Sequence, residues 1–80
     1  MGELAFEAAF GQVLKQMRSA QGLSQEKLSF ASHLDRSFIS QLECGIKQPS
    51  LITIFQLAKA LKTTPSALLS ETEKLSGFTS

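Results

Sequence analysis

Two short segments, each opened by a capping residue and separated by only three residues, constrain this chain more than anything else in it. Ser24 precedes Gln25-Glu26-Lys27-Leu28, and Asp35 precedes Arg36-Ser37-Phe38-Ile39. Both cap types accept hydrogen bonds from the free N–H groups of a first helical turn. Glu26 stands in the first turn of the earlier segment, where negative charge is favoured. The spacing predicts one helix from Ser24 to about Ser32, a tight connection at His33-Leu34-Asp35, and a second helix reaching Cys44 and stopped by Gly45. Helices this short are marginal alone and must be held by tertiary packing.

The flanking sequence supplies the packing partners. Leu4, Phe6, Phe10, Val13, Leu14 and Met17 form one apolar series, with helical steps from Phe10 onward, closed by Gly22. Pro49-Ser50 opens a fourth helix with the stripe Leu51, Ile54, Phe55, Ala58 and Leu61. Thr64-Pro65 starts a fifth, since proline at the first helical position loses no hydrogen bond, and Leu68 and Leu69 give it an apolar side. No sustained alternation or hairpin turn signals a strand. With 42% hydrophobic and 19% charged residues the chain is of globular type. The reading is all-α: a five-helix domain over residues 1–70, with helices one to four forming the core, and a polar, frayed tail over 71–80. Eighty residues build a thin core, so self-association is expected.

Winding the third helix at about 100° per residue separates two faces. Ile39 and Leu42 fall together, flanked by Glu43; Ser37, Ser40, Gln41 and Cys44 fall opposite, with Phe38 at the edge and Arg36 projecting from the first turn. A solvated face more often carries Glu and Lys at four-residue spacing. This one is short and rich in hydrogen-bonding groups instead. Arg matches guanine O6 and N7, Gln matches adenine N6 and N7, and Ser reaches base edges or phosphates. The helix N-terminus adds partial positive charge toward phosphate. The joint arrangement, more than any one of these residues, points to the major groove of DNA.

Charge distribution agrees. The net charge is only +1, but residues 10–62 hold seven basic residues (Lys15, Arg18, Lys27, Arg36, Lys47, Lys59, Lys62) against three acids, while the ends are acidic. A single cysteine, Cys44, excludes an internal disulfide and fits a reducing cytosol. Lying outward near a helix C-terminus, it reads as an inert residue before a redox sensor, because the dipole there disfavours thiolate. The start Met1-Gly2-Glu3-Leu4 lacks signal-peptide character, Phe6 replaces the Ser or Thr that myristoylation of Gly2 wants, and no apolar run nears membrane length. The expectation is a cytoplasmic, nucleoid-associated protein. One His, one Cys and scattered carboxylates form no triad, metal spacing or phosphate loop, so neither an enzyme, a metal nor a cofactor is expected.

Residues 10–69 resemble the Cro/C1-type (XRE-like) helix-turn-helix regulators. The resemblance rests on Phe10-Gly11 with Leu14 and Arg18, Gly22 through Leu28, and Leu34 through Glu43 with Gly45. Pro49-Ser50-Leu51, Leu57 through Leu61, and Pro65 with Leu68-Leu69 complete it. Leu34 to Ser40 looks especially like the controller proteins of restriction–modification systems. The resemblance implies a lambda-repressor-like fold with the recognition helix at about 35–44. It also implies a phosphate anchor and brace at Gln25, base reading by Arg36, Ser37 and Gln41, a phosphate or base contact at Ser40, and a backbone contact at Lys47. Arg18 and Glu43 correspond to a pair tying helix one to the end of helix three. Two positions depart from the pattern. His33 stands where the family commonly has Gly in a left-handed turn, and reads as a turn residue before a pH sensor or metal ligand. Ser29 stands where Ala is common.

Regulators of this type bind as two-fold dimers with half-sites one helical turn apart, roughly 34 Å. The expected dimer surface is helix five and the tail, at Leu68, Leu69, Leu75 and Phe78, with the end of helix four. The reading is thus a dimeric transcriptional regulator of a palindromic operator, with no small-molecule effector. The alternative is an antitoxin or a helical protein–protein module on the same fold.

Overall fold

In a computed structural model, residues 4–78 of the chain are described. Met1, Gly2, Glu3, Thr79 and Ser80 lie outside the described residues, and with them the Gly2 acylation question and the last part of the expected tail. Five helices follow in order: α1 Phe6–Ala20, α2 Gln25–Ser32, α3 Arg36–Glu43, α4 Leu51–Ala60 and α5 Pro65–Ser76. No strand occurs among the described residues.

Local chemistry starts four of these helices. Ser24 accepts from the Lys27 N–H at 3.0 Å, Asp35 from Ser37 at 3.1 Å, Ser50 from Thr53 at 3.1 Å and Thr64 from Ala67 at 3.1 Å. Behind the caps lies one core: Phe10, Val13 and Leu14 of α1, Leu28 of α2, Ile39 and Leu42 of α3, Leu57 and Ala58 of α4, Leu61 just beyond it, and Leu68 of α5. The short α2 and α3 are therefore held by side chains from the longer helices around them. Gly11 fixes where α1 crosses the end of α3. A Cβ there would run into the Leu42 carbonyl oxygen and lie 2.9 Å from that of Glu43, so only glycine permits the approach. Gly45 does similar service at φ 75°, with a Cβ position 3.1 Å from the Ala8 backbone.

The sequence expectation is corrected at three places. α5 runs to Ser76, with Thr72 and Ser76 buried, so residues 71–76 are packed helix rather than frayed tail. α5 lies along α1 more extensively than any other pair of helices meets, which makes it part of the core. Leu68 is consequently fully buried and not free for a dimer contact, while Leu75 is half-buried against the core. The apolar stripes also rotate. Phe6 is exposed, and on α4 the buried residues are Thr53, Leu57 and Ala58, leaving Leu51 and Phe55 facing out with Ile52. The cause is that α4 packs against α2 and α5 at once, and their directions choose the inward face.

Candidate nucleic-acid interface

The α2–α3 unit is built around a strained corner. His33 caps α2 at φ 61°, ψ 28°, a left-handed conformation costly for a residue with a Cβ. Its N–H and that of Leu34 both donate to the Ser29 carbonyl, and the Ser29 hydroxyl donates to the Leu34 carbonyl. The Ser29 hydroxyl thus ties the two ends of the turn together. From this corner α3 projects with Ile39 and Leu42 sealed beneath it and Phe38 half-buried at its edge.

On the outer side, Arg36 and Ser37 are exposed, and Ser40 and Gln41 are half-exposed. Together with Gln25 they line one shallow depression. A second depression adjoins it, lined by Arg18, Ser24, Gln25, Glu26 and Arg36, so Gln25 and Arg36 stand on the ridge between the two. It lies at the α2 N-terminus, where free backbone N–H groups and the exposed Arg36 guanidinium suit an anion. Arg18 is already paired, and Glu26 at the rim opposes an anion. Five of the six expected contact residues are therefore brought together. Lys47 is not among them: it is exposed on the loop between α3 and α4. Cys44 is the exposed C-cap of α3.

A charged brace holds this surface from behind. Arg18 Nε donates to Glu43 Oε2 at 2.6 Å and Nη2 to Oε1 at 3.0 Å, while Nη1 donates to the Leu23 carbonyl at 2.7 Å. The pairing lifts the Arg18 pKa above its ordinary value, the hydrogen bonds to Glu43 outweighing burial, so the guanidinium stays charged. Gln25 Nε2 donates to the same Glu43 Oε1 at 3.0 Å, which adds α2 to the link between α1 and α3. With side-chain exposures of 13% and 4%, the Arg18–Glu43 pair is largely shielded from solvent screening.

One participant was missed in the sequence. Asp35 reads there only as a cap, yet its Oδ2 accepts from both the backbone N–H and the hydroxyl of Ser37. These bonds, the hydroxyl first, hold the Asp35 carboxyl below the usual carboxylate range. The signal available was the Asp-Arg-Ser order, which places a second hydroxyl within reach of the capping oxygen.

Among the described residues no three His, Cys, Asp or Glu side chains gather as metal ligands, and no helix is long and apolar enough to cross a membrane. The profile of a helix-turn-helix family matches residues 14–68. Control protein C.BamHI of Bacillus amyloliquefaciens is 44% identical over 61 residues, covering 75% of each chain. Control protein C.MunI of Mycoplasma sp is 36% identical over 66 residues, 81% of this chain and 89% of that one. Among solved structures, the restriction–modification controller protein C.AhdI from Aeromonas hydrophila superposes with a TM-score of 0.76 at 47% identity, over 78% of this chain and 94% of that one.

Proposed function

The chain belongs to the helix-turn-helix family, and on that premise we infer that it is a sequence-specific DNA-binding transcriptional regulator, acting as a homodimer on a palindromic operator. Two of its relatives are named control proteins and a similar solved structure is a restriction–modification controller protein, and the chain serves the same kind of system. The observation that carries this reading is the grouping of Arg36, Ser37, Ser40, Gln41 and Gln25 around one polar depression on a rigidly backed helix. Arg36, Ser37 and Gln41 read base edges, Ser40 touches a base or phosphate, Gln25 anchors a phosphate, and Lys47 meets the backbone beyond α3. The protein works in the cytoplasm at the nucleoid, through site occupancy and without a catalytic step.

We place the dimer face on α4 rather than α5. Leu51, Ile52 and Phe55 are 68%, 72% and 56% exposed, and with Ala58, Thr63 and Pro65 they line an apolar groove. The other exposed apolar group partly covers itself: the Phe6 and Phe78 rings meet edge-on at 6.1 Å, with Leu69 beside them. The α4 group has no such internal cover, and a self-complementary apolar patch is what a two-fold contact uses.

Selection of bound sequences from a random DNA pool tests the reading. A two-fold symmetric consensus is expected, with half-sites about one helical turn apart. Arg36→Ala is expected to lower operator affinity by about 1–3 kcal/mol and relax one base position per half-site. Failure to enrich any sequence, or an Arg36→Ala protein with the wild-type consensus and affinity, overturns it.

A further inference from the structure

We propose that Asp35 sets the hydrogen-bond polarity of Ser37, so that the leading turn of α3 selects an amino base, adenine or cytosine, over a keto base at one position of each half-site. The proposal rests on the DNA-binding reading above and adds to it a rule about which base edge is accepted. A serine hydroxyl carries one proton and two lone pairs, and left free it rotates to serve either kind of partner. Here the proton is committed: Ser37 Oγ donates to Asp35 Oδ2, which also takes the Ser37 N–H at 3.1 Å. Ser37 is exposed and lines the polar depression with Arg36, Ser40 and Gln41, while Asp35 is exposed but lies outside it, so with its proton engaged Ser37 has only lone pairs to offer a groove.

In the major groove the donors are the N6 amino group of adenine and the N4 amino group of cytosine, whereas guanine O6 and thymine O4 accept. An acceptor-only Ser37, backed by a carboxylate, pairs with the first two and meets the others acceptor to acceptor. Arg36, immediately before it, offers only donors. The first turn of α3 therefore presents two residues of opposite polarity side by side, a donor fork suited to guanine and an acceptor suited to an amino base.

The test compares consensus sequences selected from random DNA by the wild type, Ser37→Ala, Asp35→Gly and Asp35→Asn, each checked for unchanged helicity. Glycine is tolerated as an N-cap at little cost but offers no side-chain acceptor. Asparagine keeps an oxygen in place. The wild type is expected to prefer amino over keto bases by about tenfold at one position, the worth of one good hydrogen bond. Ser37→Ala and Asp35→Gly are expected to flatten that position to about twofold or less, and Asp35→Asn to keep the preference. A purely structural cap would weaken Asp35→Gly binding to all sequences alike and leave the preference untouched. That outcome, or an unchanged consensus from Ser37→Ala, overturns the proposal while leaving the DNA-binding reading intact. A wild type that yields no symmetric consensus fails the DNA-binding reading first and takes this proposal with it.

Discussion

His33 holds a left-handed conformation at the corner between α2 and α3, and the fold answers that strain with the Ser29 hydroxyl bound to the Leu34 carbonyl. For an ordinary L-residue the conformation costs roughly 1–2 kcal/mol, part of which glycine would return in chain entropy. His33→Gly is therefore expected to stabilise the protein by about 0.5–1 kcal/mol in denaturant titration, and Ser29→Ala to destabilise it by about 1 kcal/mol. A His33→Gly protein no more stable than the wild type contradicts the strain account. The strained position was legible, because the family resemblance implied a left-handed turn at His33. The answering hydrogen bond was not. Ser29 and Leu34 meet only once the turn has closed, and a Ser in place of Ala reads in sequence as a small-for-small exchange.

At the scale of elements, the recognition helix owes its placement to the Arg18–Glu43–Gln25 link among α1, α3 and α2. Removing one partner of a shielded ion pair leaves the other charge uncompensated. Arg18→Met is thus expected to cost about 3 kcal/mol, with a substantial part recovered in the double variant Arg18→Met/Glu43→Leu. Equal destabilisation of the single and double variants would deny the pair its role. The α3 cap makes a separate, pH-dependent contribution. Because the folded state holds the Asp35 carboxyl below its unfolded value, the cap is complete above the unfolded pKa and lost as pH falls through the folded one. Thermal stability should decline as pH falls below the ordinary aspartate range of about 4, and Asp35→Asn should show a shallower decline. Helix starts were legible because a cap acts over two or three residues. Which side of α4 faces inward was not, since Leu51, Ile52 and Phe55 compete with Thr53 and Leu57 and only the position of α2 and α5 decides between them.

For the whole molecule, the proposed function makes affinity depend on two copies reading two half-sites together. Phe55→Lys, on the proposed α4 face, is expected to leave the fold intact, give a monomer in sedimentation at tens of micromolar, and weaken operator binding by on the order of a hundredfold. A Phe55→Lys protein that remains a dimer moves the interface to the Phe6, Leu69 and Phe78 surface. Binding should also weaken with salt. Lys47→Ala should reduce the slope of log affinity against log salt by about one for each phosphate no longer neutralised, without altering the consensus.

Local sequence was enough for the five helices, the paired caps at Ser24 and Asp35 and the polar face of α3, whereas the Arg18–Glu43 partnership, 25 residues apart, was legible only through the family resemblance. Caps and helical periodicity are short-range, and they act through neighbours three or four residues away. Only the folded chain settles that α5 belongs to the core, that Leu68 is spent there, and that Leu51, Ile52 and Phe55 of α4 face outward. It alone brought the Ser37 hydroxyl to donate to the Asp35 carboxylate. An apolar residue carries no label for which neighbour will bury it, and a hydroxyl none for whether it will donate or accept. Both are settled by what the folded chain brings within reach.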